Sequence, residues 1–409
     1  VKGKKFSVVS LALIAVALAL IVACAAPAAP TTPTAPTAPE AKTIKVGIVV
    51  ALSGPGSELE ALALQSIPPI ESWLNEQGGV TINGEKYLFD IIIEDGKGTA
   101  EGYVAAATKL VNEDKIKFMI GGNRPDLIFA LQSVTEPAKV LLSMGFGGGV
   151  PGLIGPDKPL SFRPSPAGAE SIINNYVYLS EAYPNVKTLA LINEEGPGGD
   201  FFGAVSNMQA EAHGIKVVFN EMYPVGTKDF YPILTKAIAA KPDAMDIGVA
   251  FLEPLASMLK QGHELGYTGL MFTAGQPDMS LMIPIVGKEY ADNYFSNCFD
   301  LASPNTPDTL KQIAQYYKDK GVDFKSDFMF QWDSAWCLAQ AIQAAQSLDS
   351  TAIAATWENM PSIETGFGTG HMGGLKAYGA KHLVLRPMPI TALIKGEAKT
   401  VKWIVPDIP

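Results

Sequence analysis

The chain has 409 residues, 47% of them apolar and 18% charged, with a formal net charge of −10 and a mean hydropathy of +0.16. That length exceeds what one hydrophobic core usually serves, which predicts two or more lobes. The acidic balance argues against a phosphate-backbone partner, and the apolar content excludes disorder for most of the chain.

Much of the hydropathy lies at the front. Lys2, Lys4 and Lys5 precede an apolar run, Phe6 to Ala23, broken only by Ser7 and Ser10. A run of that length is borderline for crossing a bilayer. Its end, Leu20-Ile21-Val22-Ala23-Cys24, resembles a bacterial lipobox, in which an aliphatic and then a small residue precede a cysteine that becomes lipidated and N-terminal. Residues 1–23 are therefore expected to be a lipoprotein signal peptide and Cys24 the lipidation site; the alternative is an ordinary signal peptide with a chance cysteine. Losing those three lysines and no acids takes the formal charge from −10 to −13. From Ala25 to Pro39 the chain contains only Ala, Pro and Thr, with Pro at 27, 30, 33, 36 and 39. A period of three matches one turn of polyproline II, so 24–41 is expected to be the lipidated cysteine and a stiff spacer.

From Lys42 short β-branched runs alternate with amphipathic stretches. Strands are predicted at Ile44–Ala51, Tyr87–Glu94, Lys117–Gly121 and Val140–Ser143, with helices at Ser57–Gln77, interrupted by Pro68-Pro69, and Ala100–Asn112. The pattern then restarts: strands at Thr188–Asn193, Lys216–Met222, Ala244–Val249 and Leu270–Ala274, with helices at Asp200–His213, Lys228–Ala240 and Glu253–Leu265. Helices at Asp308–Lys320 and Asp327–Ser347, a Gly-rich segment and a β tail at His382–Lys395 complete the chain. Alternation of this kind implies βαβ units and parallel sheets, here two successive doubly wound halves. Ligands of such sheets sit beyond the carboxyl ends of strands, which singles out the loops after Ala51, Gly121, Ser143, Asn193, Val249 and Ala274.

Catalytic and cofactor signatures are weak. The four histidines show no metal-ligand spacing, and no phosphate loop or nucleophile elbow occurs. Glycines 145 and 147–149 lead into Pro151 rather than a helix, unlike a dinucleotide fingerprint. Gly196-Pro197-Gly198-Gly199-Asp200 reads as a turn opening a helix, with anion binding as the alternative. Cys298 and Cys337 read as two separate, partly buried thiols, although an oxidising compartment would permit their pairing. No enzyme and no cofactor is expected.

The run Ile44-Lys45-Val46-Gly47-Ile48, then Leu52-Ser53-Gly54-Pro55, Leu74-Asn75-Glu76-Gln77-Gly78-Gly79 and Asn83-Gly84 resembles the branched-chain amino-acid (Leu/Ile/Val) binding proteins, type I substrate-binding proteins of ABC importers. Glu94-Asp95, Phe162-Arg163 and Trp332-Asp333-Ser334-Ala335, where the family often has Tyr-Asp-Ala, extend the likeness over about residues 43 to 400. The resemblance implies an α/β, type I periplasmic binding protein fold: two doubly wound Rossmann-like lobes joined by three crossovers, closing on ligand by hinge bending. The lobes are expected at 43–165 plus 300–365 and at 166–299 plus 366–409. The implied partners are membrane permeases, with ATPases acting indirectly. The implied place is outside the cytoplasm.

The departures bear on the ligand. The loop that in the family holds a substrate carboxylate with Ser or Thr reads Gly121-Gly122-Asn123-Arg124-Pro125-Asp126, and the next reads Ser143-Met144-Gly145-Phe146-Gly147. The family's two acids fall near Ala167 or Gly168 and near Gln276, its second-lobe tyrosine near Gly198, and a later aromatic at Phe251 or its neighbour. A buried ammonium needs a carboxylate partner, whereas Arg124 is a forked donor suited to carboxylates. These substitutions favour a carboxylate without an α-ammonium, aliphatic or aromatic, over an amino acid. Ser53, Gly54, Asn123, Arg124, Gly145, Phe146, Gly147, Phe251, Gln276 and Trp332 are the expected ligand-binding residues, with Phe146, Phe251 and Trp332 as apolar walls. Against this, Arg124 could pair with Asp126 at the surface, Phe146 and Trp332 could be core, and Asp278 could replace the missing acid. The expected function is solute delivery to an importer. A sensor on the same fold and, less favoured, an envelope hydrolase are the alternatives.

Overall fold

β1 (Lys42–Val50) is buried continuously from Val46 to Val50, as a parallel strand covered by helices on both faces must be. After it come α1 (Ser57–Glu76), β2 (Val80–Ile82), β3 (Glu85–Asp95), α2 (Ala100–Asn112), β4 (Phe118–Gly121), α3 (Pro125–Thr135), β5 (Leu141–Met144) and β6 (Ser161–Phe162). They form a six-stranded sheet in the order β2-β3-β1-β4-β5-β6, parallel except for the β2–β3 hairpin. The structure, a computed structural model, describes residues 41–146, 149–166, 168–250 and 252–408. Cys24, the signal peptide and the Pro-rich spacer lie outside them. α1 stays helical through Pro68 and Pro69, where an interruption was expected; Ile67 and Ile70 on either side are buried in the core.

A second sheet follows from α4 (Ala169–Ala182), β7 (Thr188–Glu194), α5 (Pro197–Ala212), β8 (Lys216–Tyr223), α6 (Tyr231–Ala239), β9 (Ala244–Asp246), α7 (Leu252–Glu264), β10 (Leu270–Phe272), α8 (Met279–Val286) and β11 (Tyr294–Ser296). The chain then returns to the first sheet with α9 (Asp308–Asp319), α10 (Phe328–Ala345) and α11 (Ser350–Trp357). A small antiparallel sheet is built from β12 (Ile363–Thr365), β13 (Gly368–Gly373) and, after α12 (Leu375–Tyr378), β14 (Leu383–Leu385). Finally β15 (Met388–Ile394) and β16 (Glu397–Ile404) complete a seven-stranded sheet in the order β16-β15-β11-β10-β9-β7-β8.

Each large sheet has a core on both faces, because alternate residues of a strand point to opposite sides. Ile44, Val46, Ile48 and Val50 pack with α1 and α9–α11, while Val49 packs with α2 and α3. The second sheet repeats this, with Ala190 and Ile192 on one face and Leu189 and Leu191 on the other. Cys337 lies in the first core and Cys298 in the second, both free, and burial pushes the Cys298 thiol up to about 12.

The chain passes between the two sheets three times, after β6, after β11 and after β14. One expected boundary moves. Ile363, Phe367, Met372, Leu383, Val384 and Leu385 all pack into the cores of the first sheet, so residues 366–385 belong with it. The third crossover is therefore near Arg386 rather than at residue 365. Two crossovers are tied together: Arg163 and Leu383 form a parallel bridge, with Arg163 N donating to His382 O at 2.8 Å. Among the described residues no helix is long and apolar enough to cross a membrane.

Candidate functional site

The carboxyl ends of β1, β4 and β5 carry three loops that converge. The first, Leu52–Gly56, is held from below by Asp95, at the end of β3. Its Oδ1 accepts from Leu52 N at 3.0 Å and Lys97 N at 2.8 Å, and its Oδ2 from Ser53 Oγ at 2.7 Å. Burial works to raise the Asp95 carboxyl, but these bonds hold it below its usual value. Gly54 has φ +79, and a Cβ there would stand 2.3 Å from Lys97 O, so glycine is required for the two loops to interlock. Glu60, buried in the first turn of α1, anchors the strand end by accepting from Ala51 N and Tyr103 Oη, each at 2.6 Å.

The second loop leads from β4 into α3, whose N-cap position is Arg124 with no side-chain cap. The guanidinium is half exposed, lies 3.9 Å from a Cβ built on Gly56, and chelates Asp126 through Nε at 3.2 Å and Nη2 at 2.5 Å. The third loop is stitched to the second by Gly145 N to Gly121 O at 3.0 Å and Phe146 N to Gly122 O at 3.1 Å. Behind both stands the start of α10. Gln331 Nε2 donates to Asn123 Oδ1 at 3.3 Å, and Phe330 meets Phe146 edge to face with centroids 5.0 Å apart. Ser143 Oγ donates to Ser334 O at 2.7 Å, and Ser334 Oγ donates back to Ser143 O.

On the second sheet, Gln276 follows β10 and is partly exposed. Asp278 caps α8, its Oδ1 accepting from Ser280 N at 2.9 Å and Ser280 Oγ at 2.6 Å. Its charge reaches Asp327, the N-cap residue of α10: burial, and then Asp278, push the Asp327 carboxyl up. Asp327 is nevertheless solvent-exposed as a residue.

The sequence expectations divide accordingly. Ser53, Gly54, Asn123, Arg124, Gly145 and Phe146 come together at the first sheet's strand ends, and Gln276 sits at those of the second. Gly147 and Phe251, like Ala167, lie outside the described residues. Trp332 is a correction. It is 1% exposed, packed against Trp73 at 4.7 Å and Tyr317 at 5.5 Å, and is core rather than wall. Arg124 does pair with Asp126, at the surface as the alternative reading had it. Phe330, Gln331 and Asp327 were missed. Their signal was the i, i+3, i+4 and i+7 spacing of Asp327, Phe330, Gln331 and Ser334.

The nearest acid after Phe162-Arg163 is Glu170, fully buried and bound by Arg163 through Nη1 at 2.9 Å and Nη2 at 2.5 Å. Burial opposes the Arg163 charge, but Glu170 more than restores it, so the guanidinium stays charged. A carboxylate so neutralised is no partner for a ligand ammonium.

Residues 43–398 match the family described as periplasmic binding protein. The chain is 24% identical to Leu/Ile/Val-binding protein homolog 1 of Brucella suis over 332 residues, 80% of this chain and 85% of that protein. Among solved structures, it is similar to the branched-chain amino acid transporter substrate binding protein LivJ from Streptococcus pneumoniae in complex with isoleucine. That match has a TM-score of 0.69 at 18% identity, covering 89% of this chain and 100% of the other. A solute binding protein of an ABC transporter from R. palustris, in complex with 4-hydroxybenzoate, superposes with a TM-score of 0.71 at 16% identity, covering 89% and 98%.

Proposed function

Because the chain belongs to the periplasmic binding protein family, we propose that it is the extracytoplasmic solute-binding lipoprotein of an ABC importer. In this reading it is anchored through Cys24 and closes its two lobes on a carboxylate that lacks an α-ammonium. It binds and hands over its solute to membrane permeases and performs no chemistry on it.

The observation that carries the ligand class is Arg124, half exposed over an α3 N-terminus that no side chain caps. Helix N-termini present free N–H groups and partial positive charge, which favours an anion there. The exposed Asp126 partner offsets little, since surface ion pairs contribute about 0–1 kcal/mol, and a ligand carboxylate can replace it. Neutralisation of Glu170 by Arg163 removes one candidate ammonium partner. The 4-hydroxybenzoate bound by the R. palustris neighbour belongs to the same ligand class.

A second reading has one specific observation behind it. Asp278 and Asp327 bring two carboxylates within electrostatic reach of each other, and a cationic group would suit them. On that reading the ligand is an amino acid, like the isoleucine of the S. pneumoniae neighbour.

A thermal-shift screen separates the two. A ligand at about 1,000 times its Kd stabilises by about 4 kcal/mol. Aromatic or aliphatic carboxylates are expected to raise the melting temperature and isoleucine, leucine and valine to leave it unchanged. The reverse pattern establishes the amino-acid reading. Arg124→Ala is expected to weaken carboxylate binding about tenfold or more, the scale of a lost charge-assisted hydrogen bond.

A further inference from the structure

Asp327, Phe330, Gln331 and Ser334 are spaced i, i+3, i+4 and i+7, which places them on one face of the start of α10. That face looks onto the carboxyl ends of β4 and β5, where open α/β sheets bind ligands. Ser334 is fully engaged with Ser143 and Gly121. Phe330 and Phe146 lie edge to face at 68°, and each remains only half buried, so the pair keeps an open aromatic surface. Gln331 is different. It is 3% exposed, its Nε2 is committed to Asn123 Oδ1, and its Oε1 is buried with no hydrogen-bond partner. A buried acceptor left unpaired costs free energy until a donor reaches it.

Resting on the reading of the ligand as an ammonium-free carboxylate, we propose that Phe330 and Gln331 determine which carboxylate is taken. The Phe146–Phe330 pair receives an aromatic ring, and Gln331 Oε1 accepts a hydrogen bond from a hydroxyl on that ring. The ligand is therefore a hydroxylated aromatic acid. A phenolic hydroxyl is a neutral donor, compatible with a ligand that carries no ammonium, and the half-buried Phe146–Phe330 pair favours a ring over an aliphatic chain. Recognition of this kind is steep, because the analogue without the hydroxyl leaves Oε1 unpaired in the closed site.

Isothermal titration of the full chain with benzoate and with 2-, 3- and 4-hydroxybenzoate tests this. At least one hydroxylated isomer is expected to bind about tenfold or more tightly than benzoate. Gln331→Met keeps the volume and removes the acceptor, and the preference should fall to within about twofold of unity. Gln331→Glu keeps an acceptor, and the preference should survive even as carboxylates bind more weakly overall. Benzoate binding as tightly as every hydroxylated isomer overturns this proposal while leaving the carboxylate reading intact. A preference that persists in Gln331→Met, or vanishes in Gln331→Glu, assigns the discrimination elsewhere and also overturns it. Binding of isoleucine and of none of the aromatic acids overturns it together with the reading on which it rests.

Discussion

Trp332 is wedged between Trp73, Tyr316 and Tyr317 in the core of the first lobe. Trp332→Ala should therefore act on stability, costing about 3–5 kcal/mol by denaturant unfolding, as large aromatic truncations in cores do. Ligand affinity of the folded fraction should change little; a stable variant with lost affinity would return Trp332 to the cleft wall. Asp95 shows the opposite arrangement, a half-buried carboxylate whose work is to hold a loop. Asp95→Ala removes the acceptor for Leu52, Ser53 and Lys97 together. It should raise hydrogen exchange at the amides of Leu52 and Ser53 while β1 stays protected, and unchanged exchange there would show that the loop needs no such anchor. Residue types alone separated these roles poorly. Ser53 was legible as a loop hydroxyl, but its partner Asp95 lies 42 positions away. Trp332 reads the same in a core as in a cleft until its neighbours are known.

At the scale of elements, α10 ties the first lobe to the third crossover electrostatically. Asp333, one turn into the helix, is fully buried. It accepts from Gly366 N at 2.8 Å and contacts Arg386 Nε at 3.0 Å, and the Arg386 guanidinium stacks over Phe367 at 3.9 Å. Burial lifts the Asp333 carboxyl to about 6, with Arg386 opposing the rise. A carboxyl that holds its proton more tightly when folded contributes stability fully below its unfolded value of 3.8. That contribution is lost as the pH rises through about 6. Asp333→Asn abolishes this titration, so the melting-temperature gap between wild type and variant should be wider at pH 5 than at pH 7. A constant or narrowing gap contradicts the assignment. Strands with continuous apolar runs, such as β1 and β7, were legible because burial on both faces demands them. β12–β14 were not. Gly366, Gly368, Gly370, Gly373 and Gly374 dilute the period-two signal, and several stand where a side chain would collide, as at Gly373, whose Cβ would lie 2.3 Å from Leu385. The missed lobe boundary follows from the same obscurity.

Across the whole molecule, buried ion pairs mark where the chain crosses from one sheet to the other. Arg163–Glu170, reinforced by Tyr378, sits at the first crossing and Asp333–Arg386 at the third. Removing one partner of a buried pair typically costs about 3–5 kcal/mol, because the other charge stays behind. Glu170→Gln should lose stability on that scale in chemical denaturation, and a loss below about 1 kcal/mol would show that the pair is dispensable. The two-lobed plan was readable from the repeated strand–helix alternation and from a family resemblance spread along the chain. The ligand was not, since loop chemistry depends on which strand ends the fold brings together. Hinge closure on an ammonium-free carboxylate is the claim that unites these scales. Small-angle X-ray scattering of the full chain with saturating 4-hydroxybenzoate, and separately with isoleucine, tests it most directly. The account predicts that the radius of gyration contracts with the carboxylate and not with isoleucine. Contraction with isoleucine alone would contradict it.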